Sequence, residues 1–346
     1  MGRTAALELL RADAAEVEAA RRRHAASQLS CLAGSRDKQQ LRLHCGAVVG
    51  FRVAAGVVVA AGDPLVAPEL QRRAVDEFVA ICRTARLPVC FMQTHPSLRP
   101  AYRAAGLRVY AFGEEAVVDL ESFCPSSPRR ANLRHELSRA RRAGMSASVL
   151  RADDVDGATW EELRGVSDAW LARRPWRELG FSVGRFGEIL DADATVSVVR
   201  GADGRAQAFT TWLRLGGHGI ALDMFRRSPV APAGAMDLCI AAALDAARAR
   251  GLRVASLGVA PFRDSTHDGD APDGRLARSL RHWLFRHGTF GYDYRSLARF
   301  KDKFAPRWEM RDVAVSRGLG SIAVPAALAL VHFRPQDGDV GAPARN

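Results

Sequence analysis

The chain has 346 residues, of which 48% are hydrophobic, and a formal net charge of +12 with an isoelectric point near 10.3. The length predicts two domains of ordinary size, and the hydrophobic content is typical of a globular protein with buried cores. The positive charge favours anionic partners such as RNA, anionic lipid surfaces or phosphorylated metabolites, although an arginine-rich composition also follows from GC-rich coding.

The six cysteines are scattered, with no CxxC pair and no cluster with histidine. This argues against a zinc site or a disulfide scaffold and fits a reducing cytoplasm, so we expect no metal ion. No signal segment is evident at the N-terminus. The apolar run from Ile322 to Val331 contains Pro325 and is about half the length that a bilayer requires, so a packed terminal helix is expected. The expected location is the cytoplasm, with peripheral membrane contact left open.

Helices and strands alternate along the first half of the chain. Hydrophobic spacing predicts an amphipathic helix over residues 4–26 and a longer one over 69–86. Apolar runs predict strands over 47–61, 88–93 and 107–120, the last with a turn near Gly113. A short helix over 98–105 ends at Gly106, a residue type that commonly closes helices.

Arginines are concentrated after Pro128, where a helix is predicted as far as residue 143. Their density suits a stripe that contacts backbone phosphates, and the alternative is a solvated helix face. The RNA-binding candidates on this helix are Arg130, Arg134, Arg139 and Arg142.

The second half repeats the order of the first. Strands are predicted over 195–200, 206–215, 219–225 and 252–259, with helices over 160–173, 236–250 and 276–286. A repeat of this length indicates tandem α/β domains with mixed sheets flanked by helices. The predicted division is an N-terminal helix (1–30), an N-terminal lobe (31–127), a basic bridging helix (128–150), a C-terminal catalytic lobe (151–335) and a disordered tail (336–346).

The repeated unit resembles the GCN5-related N-acetyltransferase fold, in its order of strand, helix, strand, helix and strand. Those enzymes bind the pyrophosphate of acetyl-CoA on a glycine-rich loop before a helix. Neither half carries that loop at the expected position. The nearest string, Arg141 to Ser146, lies at a helix end and has serine where glycine or alanine is expected. An acyl donor other than CoA is therefore expected, and no cofactor.

Nine strings in order are similar to the catalytic domain of the phosphatidylglycerol lysyltransferase family, over roughly residues 45–330. They are Gly62-Asp63-Pro64, Gly113 to Leu120, Asn132-Leu133-Arg134, Asp168 to Leu171, Glu178 to Ser182, Asp223 to Arg226, Gly234 to Asp237, Leu257 to Pro261, and Phe300 to Trp308. The resemblance implies two acyltransferase-fold lobes and transfer of an aminoacyl group from charged tRNA, supplied by an aminoacyl-tRNA synthetase, to a hydroxyl acceptor.

Two departures from the family pattern leave the acceptor open. The membrane-spanning half common in the family is not part of this sequence, and Phe225 stands third in a motif that usually reads Asp-Leu-Met-Arg. The acceptor is therefore either a phosphatidylglycerol head group or a small-molecule hydroxyl or hydroxylamine of a natural-product pathway. The alternative function is a CoA-dependent or non-catalytic RNA-binding relative of the same fold.

The candidate catalytic residues follow from the reaction, in which negative charge builds on the ester carbonyl oxygen. Lys301 suits this charge or the terminal phosphate, with Lys303 as the substitute. Asp223 suits the aminoacyl ammonium or the acceptor hydroxyl, and Arg226 suits a phosphate or carboxylate. An Asp223–Arg226 surface ion pair is the plainer alternative.

Three further residues are candidates for binding substrate: Asp237, Glu178 and Phe181. Asp237 stands at the start of a predicted helix, where capping is the alternative role. The sequence contains no Gly-x-Ser-x-Gly nucleophile elbow, so direct attack by the acceptor is expected.

Overall fold

The computed structural model describes residues 11–174, 178–188, 194–263, 294–318 and 322–333. The strands in this part of the chain are β1 (Gln39–Arg42), β2 (Val48–Ala54), β3 (Val57–Ala61), β4 (Val89–Thr94), β5 (Arg108–Asp119), β6 (Ser146–Arg151), β7 (Thr195–Arg200), β8 (Ala206–Leu215), β9 (Gly219–Arg227), β10 (Val254–Pro261) and β11 (Arg307–Val315). They form one mixed sheet in the order β1-β2-β3-β4-β11-β5-β10-β9-β8-β7-β6.

Helices cover both faces of this sheet. They are α1 (Ala14–His24), α2 (Gln28–Cys31), α3 (Gln71–Thr84), α4 (Arg99–Ala104), α5 (Ala131–Arg142), α6 (Gly157–Leu171), α7 (Ala235–Ala249), α8 (Tyr294–Asp302) and α9 (Val324–Phe333). No helix in the described ranges is both long and apolar enough to cross a membrane.

The repeat seen in the sequence is a pair of βαβ units. β3 and β4 are parallel and joined through α3, and β9 and β10 are parallel and joined through α7. The remaining strand pairs of the sheet are antiparallel. α3 buries one apolar stripe that includes Phe78 and Val79, whereas α7 is buried over most of its surface, with Ile240 and Leu244 in its core. The predicted mixed α/β fold is confirmed.

The two halves exchange their last strands. β5, which ends the first half, pairs with β10 of the second half, and β11, which ends the second half, lies between β4 and β5. The exchange makes the sheet continuous from one half to the other. It also means that β11, assigned by sequence to the 151–335 lobe, completes the sheet of the 31–127 lobe; the domain division itself stays a prediction.

Several elements differ from the sequence-based expectation. β5 runs through Gly113 without the expected turn, since Gly113 pairs with both neighbouring strands. Glycine is needed there because an added Cβ would lie 2.4 Å from the backbone carbonyl oxygen of Ala260. Strands β1, β6 and β11 were not predicted from the sequence. The predicted helix over 276–286 and the tail over 336–346 lie outside the described residues.

Candidate active site

A β-bulge in β10 is the centre of the candidate site. The pairing of β10 with β5 shifts register between Ser256 and Val259, and Gly258 within the bulge has a φ of +78°. A bulge removes backbone groups from the ladder. Lys301 on α8 uses them: its Nζ donates to the carbonyl oxygens of Gly258 at 2.9 Å and Val259 at 3.0 Å.

Lys301 is a buried amine with an unusual pKa. The residue is only 4% exposed. Burial lowers its pKa to about 7, and the negative charge of Glu115 opposes this shift. Near neutral pH the amine is therefore populated in both its charged and its neutral form. Two of the three donors of the ammonium bind the bulge, and no described residue accepts from the third.

Glu115 on β5 holds the bulge from the other side. Its carboxylate accepts from Arg311 Nε at 2.6 Å, from the backbone N–H of Gln28 at 3.0 Å, and from the hydroxyl of Ser256. The Ser256 oxygen in turn accepts from the backbone N–H of Gly258 at 3.0 Å. Carboxylate, serine and bulge therefore form one hydrogen-bonded chain that ends at the carbonyl to which Lys301 donates.

Asp223 on β9 is a second buried titratable group. One carboxylate oxygen accepts from the backbone N–H of Gly184 at 2.6 Å and the other from the Thr211 hydroxyl at 3.1 Å. Burial nevertheless raises its pKa to about 6. The approach of Gly184 requires glycine, since a Cβ there would lie 2.4 Å from a carboxylate oxygen of Asp223.

Arg226 does not offer its guanidinium to solvent. It donates to the carboxylate of Glu178 and to the hydroxyl of Ser167, and its guanidinium carbon lies 5.6 Å from the centre of the Trp170 ring. Arg226 thus binds a carboxylate, as its fork geometry allows, but the carboxylate belongs to Glu178. The alternative of an Asp223–Arg226 pair at the surface is wrong, because both side chains are buried and the ion-pair partner of Arg226 is Glu178.

The segment 178–188 connects these groups, and we call it the bridging loop. Gln28 Nε2 donates to the carbonyl oxygen of Ser182 at 2.9 Å. Because the backbone N–H of Gln28 also donates to Glu115, this contact connects the loop to the bulge. Phe181 is fully buried with a φ of +64°, a left-handed conformation that non-glycine residues rarely adopt. Its backbone N–H donates to Asp37 at 2.7 Å. The loop therefore holds Asp223, Arg226 and Glu178 in one cluster and joins this cluster to the bulge.

Lys303 and Asp237 form a separate ion pair. Asp237 lies in the first turn of α7, and Lys303, two residues after Lys301, contacts it directly. Burial raises the pKa of Asp237, and Lys303 opposes that shift. Within the described part of the chain, no hydrogen bond or ion pair joins these two residues to the bridging loop, so they form a pair separate from Asp223.

The arginine candidates divide into one buried and three exposed residues. Arg130 is 7% exposed, and its Nε donates to the carbonyl oxygen of Phe304 at 3.0 Å while its guanidinium stacks on Phe123. Arg130 therefore fixes the start of α5 against the turn after Lys301. As a buried residue it is not available to contact RNA, contrary to the expectation from the sequence. The exposed residues on α5 are Arg134, Arg139 and Arg142.

Sequence reasoning missed several members of the cluster. Glu115 lies within a quoted family string, and two adjacent carboxylates in an otherwise apolar strand were a usable signal for it, because buried charges require partners. Asp37 and Gln28 carried no such signal, since their contacts with the bridging loop are made across the fold. Lys38 was marked only by the rarity of lysine in the chain.

Fold and site together define an α/β protein with an acyltransferase-like sheet and a buried polar cluster at a bulge of that sheet. A family model described as the C-terminal region of phosphatidylglycerol lysyltransferase matches residues 18–315. The chain belongs to this family.

Relatives with known names agree with that assignment. The chain is 30% identical over 285 residues to the lysylphosphatidylglycerol biosynthesis bifunctional protein LysX of Mycobacterium ulcerans, which covers 82% of this chain and 26% of that protein. The chain therefore spans about a quarter of the length of the curated relatives it matches.

Solved structures show the same fold. A C-terminal domain named for lysylphosphatidylglycerol synthetase from Agrobacterium fabrum is 29% identical with a TM-score of 0.79, covering 93% of this chain and 98% of that one. L-PGS from Bacillus licheniformis is 27% identical with a TM-score of 0.76, covering 92% and 95%. FemX, at 11% identity and a TM-score of 0.55, covers 88% and 96% and shares the fold.

Proposed function

We propose that this chain transfers an aminoacyl group from a charged tRNA to a hydroxyl acceptor, with phosphatidylglycerol as the first acceptor to test. The family and the names of its relatives support the lipid acceptor. The observation that carries the proposal is Lys301 at the bulge, a buried amine with a pKa near neutrality that donates to the carbonyl oxygens of Gly258 and Val259.

The reaction needs no activation by ATP, because an aminoacyl-tRNA is already an ester. The acceptor oxygen forms a bond to the ester carbonyl carbon, and the bond from that carbon to the ribose oxygen breaks. The proton of the acceptor hydroxyl goes, overall, to the leaving ribose oxygen. In this scheme the Lys301 ammonium stabilises the negative charge on the carbonyl oxygen, a contribution of about 3–4 kcal/mol for one fixed donor.

Asp223 is assigned to the ammonium of the aminoacyl group. As a carboxylate it provides a charge-assisted hydrogen bond in a buried setting, where such bonds are strong. Arg226 and Glu178 are assigned to positioning, since each already binds the other. Phe181 is assigned to holding the bridging loop rather than contacting substrate, because it is fully buried.

The exposed arginines of α5 are assigned to tRNA backbone phosphates. Arg134, Arg139 and Arg142 point outward on different flanks of one helix, which suits several phosphates of a wide polyanion better than a single group. The cell would supply the donor through an aminoacyl-tRNA synthetase. A lipid acceptor would place the protein at an anionic membrane surface from the cytoplasmic side.

The test is transfer of radiolabel from a pool of charged tRNAs, each with one labelled amino acid. The assay contains phosphatidylglycerol vesicles in one arm and an aqueous extract of small hydroxyl and hydroxylamine compounds in the other. We expect label in the lipid fraction, lost with Lys301→Ala. Label only in the aqueous fraction would move the acceptor to a natural-product pathway. Acetyl-CoA binding without tRNA binding would contradict the proposal.

A further inference from the structure

Lysine is nearly absent from this chain. Only three of its 50 basic residues are lysines: Lys38, Lys301 and Lys303. An arginine satisfies most positions that need only a positive charge, whereas a lysine provides a compact amine that can change protonation when buried. Two of the three lysines were candidates from the sequence. The rarity of the residue directs attention to the third, Lys38.

Lys38 is a fully enclosed amine. Its side chain is 1% exposed, and Nζ donates to Ser35 Oγ at 2.6 Å and to Asp37 Oδ1 at 2.8 Å. The same nitrogen lies 4.8 Å from the centre of the Phe181 ring. A planar guanidinium is larger than this ammonium, so an arginine at this position would displace Ser35 or Phe181.

The partner of Lys38 anchors the bridging loop. The second oxygen of Asp37 accepts from the backbone N–H of Phe181 at 2.7 Å, while the Phe181 ring contacts Lys38. Backbone and side chain of this left-handed residue are thus held by the two members of one ion pair. The loop then delivers the N–H of Gly184 to Asp223.

Lys38 also acts electrostatically on the site. Burial lowers the pKa of Lys38, and the charges of Asp37 and Asp223 oppose this. In return the positive charges of Arg226 and Lys38 oppose the rise in the pKa of Asp223. Arg52 on β2 and His332 on α9 also interact electrostatically with Lys38. Loss of the Lys38 charge should therefore shift Asp223 further towards its protonated form.

We propose that Lys38 is a positioning residue of the transfer site: with Asp37 it fixes the bridging loop that binds Asp223, and its charge acts on the Asp223 carboxylate. The assignment rests on the proposed function for its effect on rate, whereas its effects on the loop and on Asp223 do not depend on any activity.

The experiment compares three variants. Lys38→Met removes the charge, and Lys38→Met/Asp37→Asn removes both charges, so that no carboxylate is left buried without its cation. Lys38→Arg keeps a charge in the wrong shape. The matched control is Arg36→Lys, an exposed neighbour two residues earlier. We expect a roughly 10- to 100-fold lower kcat in the three variants, the scale of a displaced catalytic geometry, and no change in the control.

The pH dependence separates positioning from mere packing. The acidic limb of kcat/KM should move above about 6 in Lys38→Met and stay near its original midpoint in Lys38→Arg. In the double variant the loss of the Asp37 charge offsets the loss of the Lys38 charge, so the acidic limb should move less than in Lys38→Met. Folded Lys38→Met, by circular dichroism, with unchanged kcat and an unchanged acidic limb would overturn the proposal.

A readout without turnover keeps the proposal testable if the transfer assay fails. In protein labelled with ¹³C at lysine Cε, three signals are expected, and the Lys38 signal should shift with a midpoint near 6 as Asp223 titrates. Asp223→Asn should abolish that shift. A Lys38 signal indifferent to Asp223→Asn would contradict the electrostatic part whatever the enzyme's activity.

Discussion

The two halves of the molecule contain the same backbone device with different chemistry. In β10 the left-handed residue is Gly258, and in β4 it is Gln93, each four residues after the first residue of its strand. Each strand also shifts register at this point against its neighbour. The helix residue six positions before the last strand of each half is Lys301 in the second half and Tyr102 in the first.

The difference lies in what these two residues can do. The Tyr102 hydroxyl donates to Asp63 at 2.7 Å, and burial together with Asp63 raises the pKa of the tyrosine well above its ordinary value. It therefore stays neutral throughout the physiological range. Lys301, with a pKa of about 7, changes charge within that range. Both halves therefore contain the bulged strand, but only the second half has an amine beside it. We expect the chemistry only in the second half.

The largest expected effect on kcat comes from substituting Lys301, with a substitution of Tyr102 as the comparison. Lys301→Ala should lower kcat by roughly 10²–10³-fold, since it removes the donor to the developing oxyanion. Tyr102→Phe should leave kcat unchanged and lower the free energy of unfolding by about 1–3 kcal/mol, because a buried carboxyl loses its partner. Steady-state kinetics and urea denaturation measure both. Equal losses of kcat in the two variants would end the asymmetry.

The next largest effect is expected from substituting the two buried aspartates. Asp223 and Asp63 both have a pKa raised to about 6 by burial. Asp223→Asn should lower kcat/KM roughly 10²-fold through loss of a charged partner for the substrate ammonium, whereas Asp63→Asn should leave it within about twofold. The comparison fails if Asp63→Asn is the more damaging of the two.

The pH profile of the unmodified protein should be narrow. Activity requires ionised Asp223 and protonated Lys301, so kcat/KM should rise with pH through about 6 and fall through about 7. Lys301→Arg should remove the basic limb, because a guanidinium keeps its proton, at whatever residual rate remains. A basic limb that persists in Lys301→Arg would assign it to another group.

The smallest effect concerns the bulge backbone. An added Cβ at Gly258 would make only ordinary contacts, 3.7 Å from Lys301 Nζ, so Gly258→Ala should cost about 1 kcal/mol through its left-handed φ alone. Gln93 shows that the same conformation accepts a side chain in the other half. A thermal melt should show a loss of roughly 2–4 °C. Unfolding of the variant would mean that the two bulges are not equivalent.

The repeat could be predicted from the sequence, because each of its helices and strands follows from the spacing of apolar residues within its own segment, as in α3 and α7. The exchange of β5 and β11 between the two halves could not be predicted, since strand pairing depends on partners far away in the chain. The same holds for the site. Lys301 and Asp223 were visible through family strings, but the contact of Asp37 with Phe181 joins residues 144 apart in sequence.

The measurement that tests the central claim most directly is the pKa of the Lys301 amine. With three lysines in the chain, ¹³C labelling at lysine Cε gives three signals, which Lys301→Arg and Lys303→Arg assign. We expect the Lys301 signal to titrate near pH 7 in the folded protein. A midpoint above 10, as for a lysine in water, would contradict it and leave the second bulge chemically no different from the first.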